Sequence, residues 1–152
     1  MSLIIKMIIN ARLKIEGRKE LVKKVRDWLA KNALKAGYNS ESINDLNLAV
    51  TEATTNIIRH AYGNVEGKPI RFDLSINEES LLLKIEHNGK AFNPRQYKKP
   101  DLSRPQAEGY GIFLIKSIMD KVEFEETENG GKIIFEKYRL PDTDSGSKKI
   151  DD

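Results

Sequence analysis

Residues 81–92 read LLLKIEHNGKAF. Leu81, Leu83 and Ile85 alternate with Lys84 and Glu86, the two-residue period of a half-buried strand. The alternation stops at His87-Asn88-Gly89, and a small-residue turn through Ala91 follows. The reading is therefore a strand that delivers His87 and Gly89 to one end of a sheet.

Working outward, IRFDLSI (70–76) alternates in the same way and is joined to the first run by a short polar segment, which predicts an antiparallel hairpin. IINARLKI (8–15) predicts another strand. VEFEET and KIIFEKY predict a second hairpin with Asn129-Gly130 in its turn. Residues 18–36 predict a helix whose inner face carries Leu21, Val25, Trp28 and Leu29 and which Gly37 ends. Ser40 is placed to cap a second helix running to Tyr62 and stopping at Gly63. GYGIFLIKSIMDKV predicts a third helix that begins at glycines. Between it and the first hairpin, residues 89–108 are rich in Pro, Lys, Arg and Gln and show no apolar period. A loop of that length inside one domain is usually functional or mobile. The sum is an α+β two-layer sandwich, with helices on one face of an antiparallel or mixed sheet.

The chain has 152 residues, 39% hydrophobic and 32% charged, enough for one globular domain over 1–140. The end, LPDTDSGSKKIDD, offers little to bury, so 141–152 is expected to be a disordered polar tail. The apolar start MSLIIKMIIN is interrupted by Lys6 and Asn10, is too short to span a bilayer and lacks a basic leader, so a strand is expected there. The absence of cysteine excludes disulfides and thiolate metal sites and fits a cytoplasmic protein. Net charge is +3; the body before Pro141 carries +5, from 24 basic and 19 acidic side chains. That permits a phosphate ligand without arguing for nucleic acid.

Within INDLNLAVTEATTNIIRHAYG (43–63), Ile43, Leu46, Val50, Ala53, Ile57 and Ala61 form the apolar stripe. Glu52, Asn56, Arg59 and Gly63 lie across from it, with His60 at the flank. Glu52 and Asn56 are one turn apart and can reach one ligand. Taken alone, such a stripe is more often a solvated face, but Asn56 is a poor helix former held in mid-helix. GYGIFLI (109–115) places two glycines where unpaired N–H groups and a positive helix dipole can receive an anion.

These pieces follow one another in an order that resembles the GHKL ATPases, and within them the anti-sigma factor serine/threonine kinase family. LAVTEATTNIIRHAY looks like that family's N box. PDLSRPQAEGYGIFLIKSIMDKVEF looks like its lid, second glycine box and helix end. The resemblance covers about residues 8–138. It implies a Bergerat-type ATP site with ATP and Mg²⁺ as cofactors, and a kinase that phosphorylates serine or threonine on an anti-sigma factor antagonist. It also implies binding to a sigma factor, a homodimer, and no membrane or direct nucleic-acid partner. Glu52 would be the catalytic base and Asn56 the Mg²⁺ ligand, with residues 93–108 as the ATP lid. Nucleotide contacts are implied at Asn56, His60, His87, Gly89, Ala91, Arg104, Gly109, Tyr110, Gly111, Ile112 and Lys132.

Two positions depart from the family pattern. His87 stands where the family has an Asp that accepts from the adenine amino group, and Lys132 stands where its last glycine box has Thr. Neutral His offers one acceptor nitrogen; a carboxylate offers two oxygens and no donor. The alternative function is therefore a kinase-like binding module, an anti-sigma or switch protein with weak or lost ATP binding. An isolated domain phosphorylating histidine in trans ranks below both. A nucleic-acid role, resting only on the basic run RKELVKKVR, ranks last.

Overall fold

The computed structural model describes residues 8–103 and 110–139. Five strands form one sheet in the order β1-β2-β3-β5-β4, and every neighbouring pair is antiparallel. The strands are β1 (Ile9–Glu16), β2 (Pro69–Ile76), β3 (Ser80–His87), β4 (Lys121–Thr127) and β5 (Gly130–Tyr138). Three helices, α1 (Val22–Lys35), α2 (Ser40–Asn56) and α3 (Tyr110–Ile118), cover one face. The sandwich expected from the sequence is present, and the sheet is antiparallel throughout.

The two-residue period of the strands explains the layering. Ile70, Phe72, Leu74 and Ile76 of β2 oppose His87, Ile85, Leu83 and Leu81 of β3, and all eight side chains are buried. Ile133 and Phe135 of β5 continue the same face. Completely burying a side chain such as Phe72 contributes about 1.5–3 kcal/mol. The opposite face is polar, with Arg12 bonded to Asp73 at 3.1 Å and Ser75 to Asn10 at 3.1 Å.

From α1, Val22, Val25, Leu29 and Ala33 enter the core, and from α2, Leu46, Ala49, Val50 and Ala53. Trp28 packs its ring 6.2 Å from Phe72. Gly37 ends α1 with φ +91°, a conformation that favours glycine. The cap of α2 is Asn39, whose Oδ1 accepts from Ser42 N at 2.8 Å; Ser40 is already helical. Lys137 ties the layers together, donating to Ile118 O at 2.8 Å and lying 3.3 Å from Asp45. The turn between β4 and β5 is Glu128-Asn129, one residue earlier than the sequence suggests, because Thr127 pairs with Gly130. The expected strand over residues 1–7 and the tail beyond Arg139 lie outside the described residues.

Candidate functional site

The polar helix α2 does not run as α-helix to Tyr62. After Asn56 the backbone widens into a π-helical turn, Ile57–Ala61, closed by Tyr62 N donating to Ile57 O at 2.9 Å. Such wide turns recur at functional sites because they re-aim carbonyls and side chains. Here the Ala61 carbonyl receives Lys90 N at 3.3 Å, and the chain after β3 rests on it. A Cβ at Gly89 would stand 2.4 Å from that oxygen, so only glycine permits the contact. Tyr62 fixes the same loop: its hydroxyl donates to Pro69 O and accepts from Asn88 N at 2.8 Å.

His87, at the end of β3, is 4% exposed and meets the Tyr62 ring edge-on. Its Nδ1 accepts from Gly89 N at 3.1 Å. The proton of the neutral ring therefore sits on Nε2. Burial, and then the nearby Arg71 guanidinium, hold the imidazole pKa below its ordinary value, so the ring is neutral near pH 7. Opposite it on β5 is Gly131, where a Cβ would stand 2.7 Å from Nε2. The strand register thus gives the imidazole its space through a glycine.

Glu52 and Asn56 converge on the first turn of α3. A Cβ on Gly111 would lie 3.0 Å from Glu52 Oε1 and 3.1 Å from Asn56 Nδ2. The backbone at the start of α3 therefore abuts both side chains without an intervening one. This arrangement suits phosphate oxygens at the main chain and a cation beside the Asn56 carboxamide. Among the described residues no cluster of three His, Asp or Glu side chains could hold a metal by itself. Asn56 with phosphate oxygens and water is the donor set that fits Mg²⁺, which keeps much of its water shell.

A cavity of about 500 Å³ joins these parts. Asn56, His60, His87, Ala91, Gly111 and Ile112, all expected as nucleotide contacts, line it, and Lys132 borders it. Glu52 is not part of its wall and sits behind Gly111. Gly89 and Tyr110 flank it: one seats the loop, and the other opens α3 next to Gly111. The register pairs Lys132 with Glu86 and Glu125, so its side chain points to the sheet face away from His87, and its ammonium lies 3.9 Å from Glu125. The residues sharing His87's face on β5 are Gly131 and Ile133. Sequence reasoning also missed the apolar half of the wall. Phe92 and Phe124, with ring centroids 4.5 Å apart, line it together with Ile57 and Ile133. Phe92 closes the stretch LLLKIEHNGKAF and was the available signal; Phe124 reads only as strand alternation.

Of the expected lid, residues 93–103 are described, and Arg104 and Gly109 lie outside the described residues. A short 3₁₀ turn, Pro94–Gln96, opens the loop, and Asn93 and Gln96 reach the cavity. Beyond it the loop lies on α3: Lys99 sits over the Phe113 ring at 5.7 Å and Lys116 over the Tyr97 ring at 5.5 Å. Each such contact is worth roughly 0.5–1 kcal/mol when exposed, enough to bias the loop without locking it. Among the described residues no helix is long and apolar enough to cross a membrane.

Residues 15–137 match the histidine kinase-like ATPase domain. The chain is 31% identical to the serine-protein kinase RsbW of Oceanobacillus iheyensis over 134 residues, covering 83% of this chain and 84% of that one. It is also 31% identical to the RsbW of Listeria innocua, with 83% and 85% covered. Among solved structures it resembles the RsbU and RsbW domains of a Mycobacterium tuberculosis protein (TM-score 0.59, 15% identity, 86% of this chain and 33% of that one). It also resembles the catalytic domain of histidine kinase ThkA (TM-score 0.53, 15% identity, 85% and 96%). Both share the fold. The chain belongs to the histidine kinase-like ATPase family, among relatives of the RsbW serine-protein kinase type.

Proposed function

We propose that this chain is a serine/threonine protein kinase, dependent on a nucleoside triphosphate and Mg²⁺, that acts as an anti-sigma regulatory factor. The observation that carries the reading is the meeting of Glu52 and Asn56 at the Gly111 backbone, with Asn56 and Gly111 lining a nucleotide-sized cavity. The identity to RsbW kinases over most of both chains supports it. The implied cofactor is ATP, the implied substrate an anti-sigma factor antagonist, and the implied binding partner a sigma factor. A homodimer, a cytoplasmic location and transcription regulation belong to the same reading.

Mg²⁺ bound there would neutralise charge on the phosphates. Asn56 would hold it, and the N–H groups at the start of α3 would fix the phosphate oxygens. Glu52 lies on the α3 side of the same point and would take the proton of the substrate hydroxyl. The hydroxyl oxygen bonds to the γ-phosphorus, the bond from that phosphorus to the β–γ bridging oxygen breaks, and the nucleoside diphosphate leaves with the electron pair. Phe92, Phe124 and Ile112 would hold the base away from water.

The test is phosphate incorporation into a candidate antagonist protein, with ATP and ITP as alternative donors. Incorporation that vanishes in Glu52→Ala and in Asn56→Ala supports the kinase. Tight sigma or antagonist binding without incorporation would overturn it in favour of a binding module, the reading that His87 in the base pocket favours.

A further inference from the structure

His87 gives the base pocket a polarity of its own. The imidazole ends β3 in the wall of the cavity, held between the Tyr62 ring and Gly131. Its only acceptor nitrogen, Nδ1, is already occupied by the Gly89 N–H at 3.1 Å. Nε2 carries the proton and has no hydrogen-bond partner among the described residues, although it is not sealed from the cavity. The same wall carries apolar Ile57, Ala91, Phe92, Phe124 and Ile133, with Lys90, Asn93, Gln96 and Lys132 as further polar residues of the lining. A slot of this kind suits a flat two-ring base, and the one polar demand His87 makes is for an acceptor.

We propose that this pocket selects a 6-oxopurine nucleotide, with hypoxanthine or guanine as base, over an adenine nucleotide, with His87 Nε2–H donating to the O6 carbonyl. The inference rests on the reading above that the cavity holds a nucleoside triphosphate, and it specifies which one. Adenine presents an amino group at the same edge. Two donors would then face each other, and both would lose the partner they had in water. A 6-oxopurine satisfies Nε2 and leaves the Nδ1–Gly89 bond intact. His87 is the specificity-determining residue; the phosphate side, at Asn56 and Gly111, is indifferent to the base. A buried donor left unpaired lowers affinity by about tenfold or more.

The experiment is calorimetric titration of the full chain with ITP, GTP and ATP in the presence of Mg²⁺ near neutral pH. ITP and ATP differ only at position 6 and the adjoining N1 proton, so their ratio isolates the His87 contact. The expected result is ITP and GTP binding at least about tenfold more tightly than ATP. In His87→Asp the order should reverse, because a carboxylate accepts from the amino group and repels the carbonyl. ATP binding as tightly as ITP to the unmodified chain overturns the inference and leaves the nucleotide site standing. An unmodified chain that is silent while His87→Asp binds ATP has the same two consequences. Silence toward all three nucleotides in both proteins overturns the inference together with the nucleotide site. Should His87→Asp fail to fold, the comparison of ITP with ATP in the unmodified chain still decides.

Discussion

Gly111 stands so close to Glu52 that a single added carbon would lie 3.0 Å from the carboxylate oxygen, with Asn56 Nδ2 at 3.1 Å on the same side. The contact separates stability from chemistry. The atoms in the way are the ends of flexible side chains, and alanine is a better helix former than glycine. Gly111→Ala should therefore leave the melting temperature unchanged or slightly raised. Glu52 and Asn56 would have to give by a few tenths of an ångström, which should lower phosphoryl transfer, by less than the roughly hundredfold that a 1 Å misplacement costs. Thermal melting and incorporation assays on the same preparation check both halves.

At Gly89 the obstacle is backbone. A Cβ would fall 2.4 Å from Ala61 O and 2.7 Å from its carbon, and neither can rotate aside. Gly89→Ala should destabilise the fold by about 1–3 kcal/mol, the usual cost of overpacking. It should also weaken nucleotide binding, because the loop carrying Ala91 and Phe92 is seated there. Urea denaturation and titration calorimetry measure the two effects; an unchanged midpoint would show that the loop does not depend on the π-helical turn.

The strands, the helices and the pairing of Glu52 with Asn56 were legible because they rest on short periods along the chain. The π-helical turn was not. Ile57–Ala61 carries an ordinary helical pattern, and the wide turn is matched to Gly89 and Lys90, some thirty residues downstream. Lys132 was visible as a departure from the family's last glycine box, and the fold adds its surroundings: it borders the cavity from β5, next to Gly131 and opposite Glu86 and Glu125. His87 was visible as a departure from its family, but its donor polarity depends on the Gly89 N–H that fills Nδ1.

The buried His87 also makes stability depend on acidity. Its folded pKa is depressed by burial and then by Arg71, while the unfolded ring titrates near the ordinary value of 6.5. Below that pH the unfolded chain binds a proton that the folded chain refuses, so the unfolded state gains. Stability should hold above pH 6.5 and fall as pH drops through 6.5 toward the folded value. His87→Gln should flatten this part of the profile. Denaturant midpoints of both proteins across that range would check it; parallel profiles would mean that the acid sensitivity lies elsewhere.

Tyr38 gives the alkaline counterpart. Its hydroxyl donates to Lys137 O at 3.1 Å, joining the chain just after α1 to β5, and the Arg139 guanidinium lies 4.9 Å from its ring centroid. Burial pushes its pKa from 10.0 up to about 12; Arg139 opposes the shift, while Asp120 and Glu136 add to it. Between these two values the unfolded phenol ionises and the folded one keeps its proton. The folded state then binds more protons, and stability falls as pH rises. The contribution is fully present below pH 10 and lost as pH passes about 12. Tyr38→Phe should cost about 1 kcal/mol at neutral pH for the lost hydrogen bond, and should remove this alkaline decline. The difference in phenolate absorbance between the unmodified protein and Tyr38→Phe during an alkaline titration reads the site directly: Tyr38 should ionise at about 12, in step with unfolding, and titration near 10.0 in the folded protein would refute the assignment.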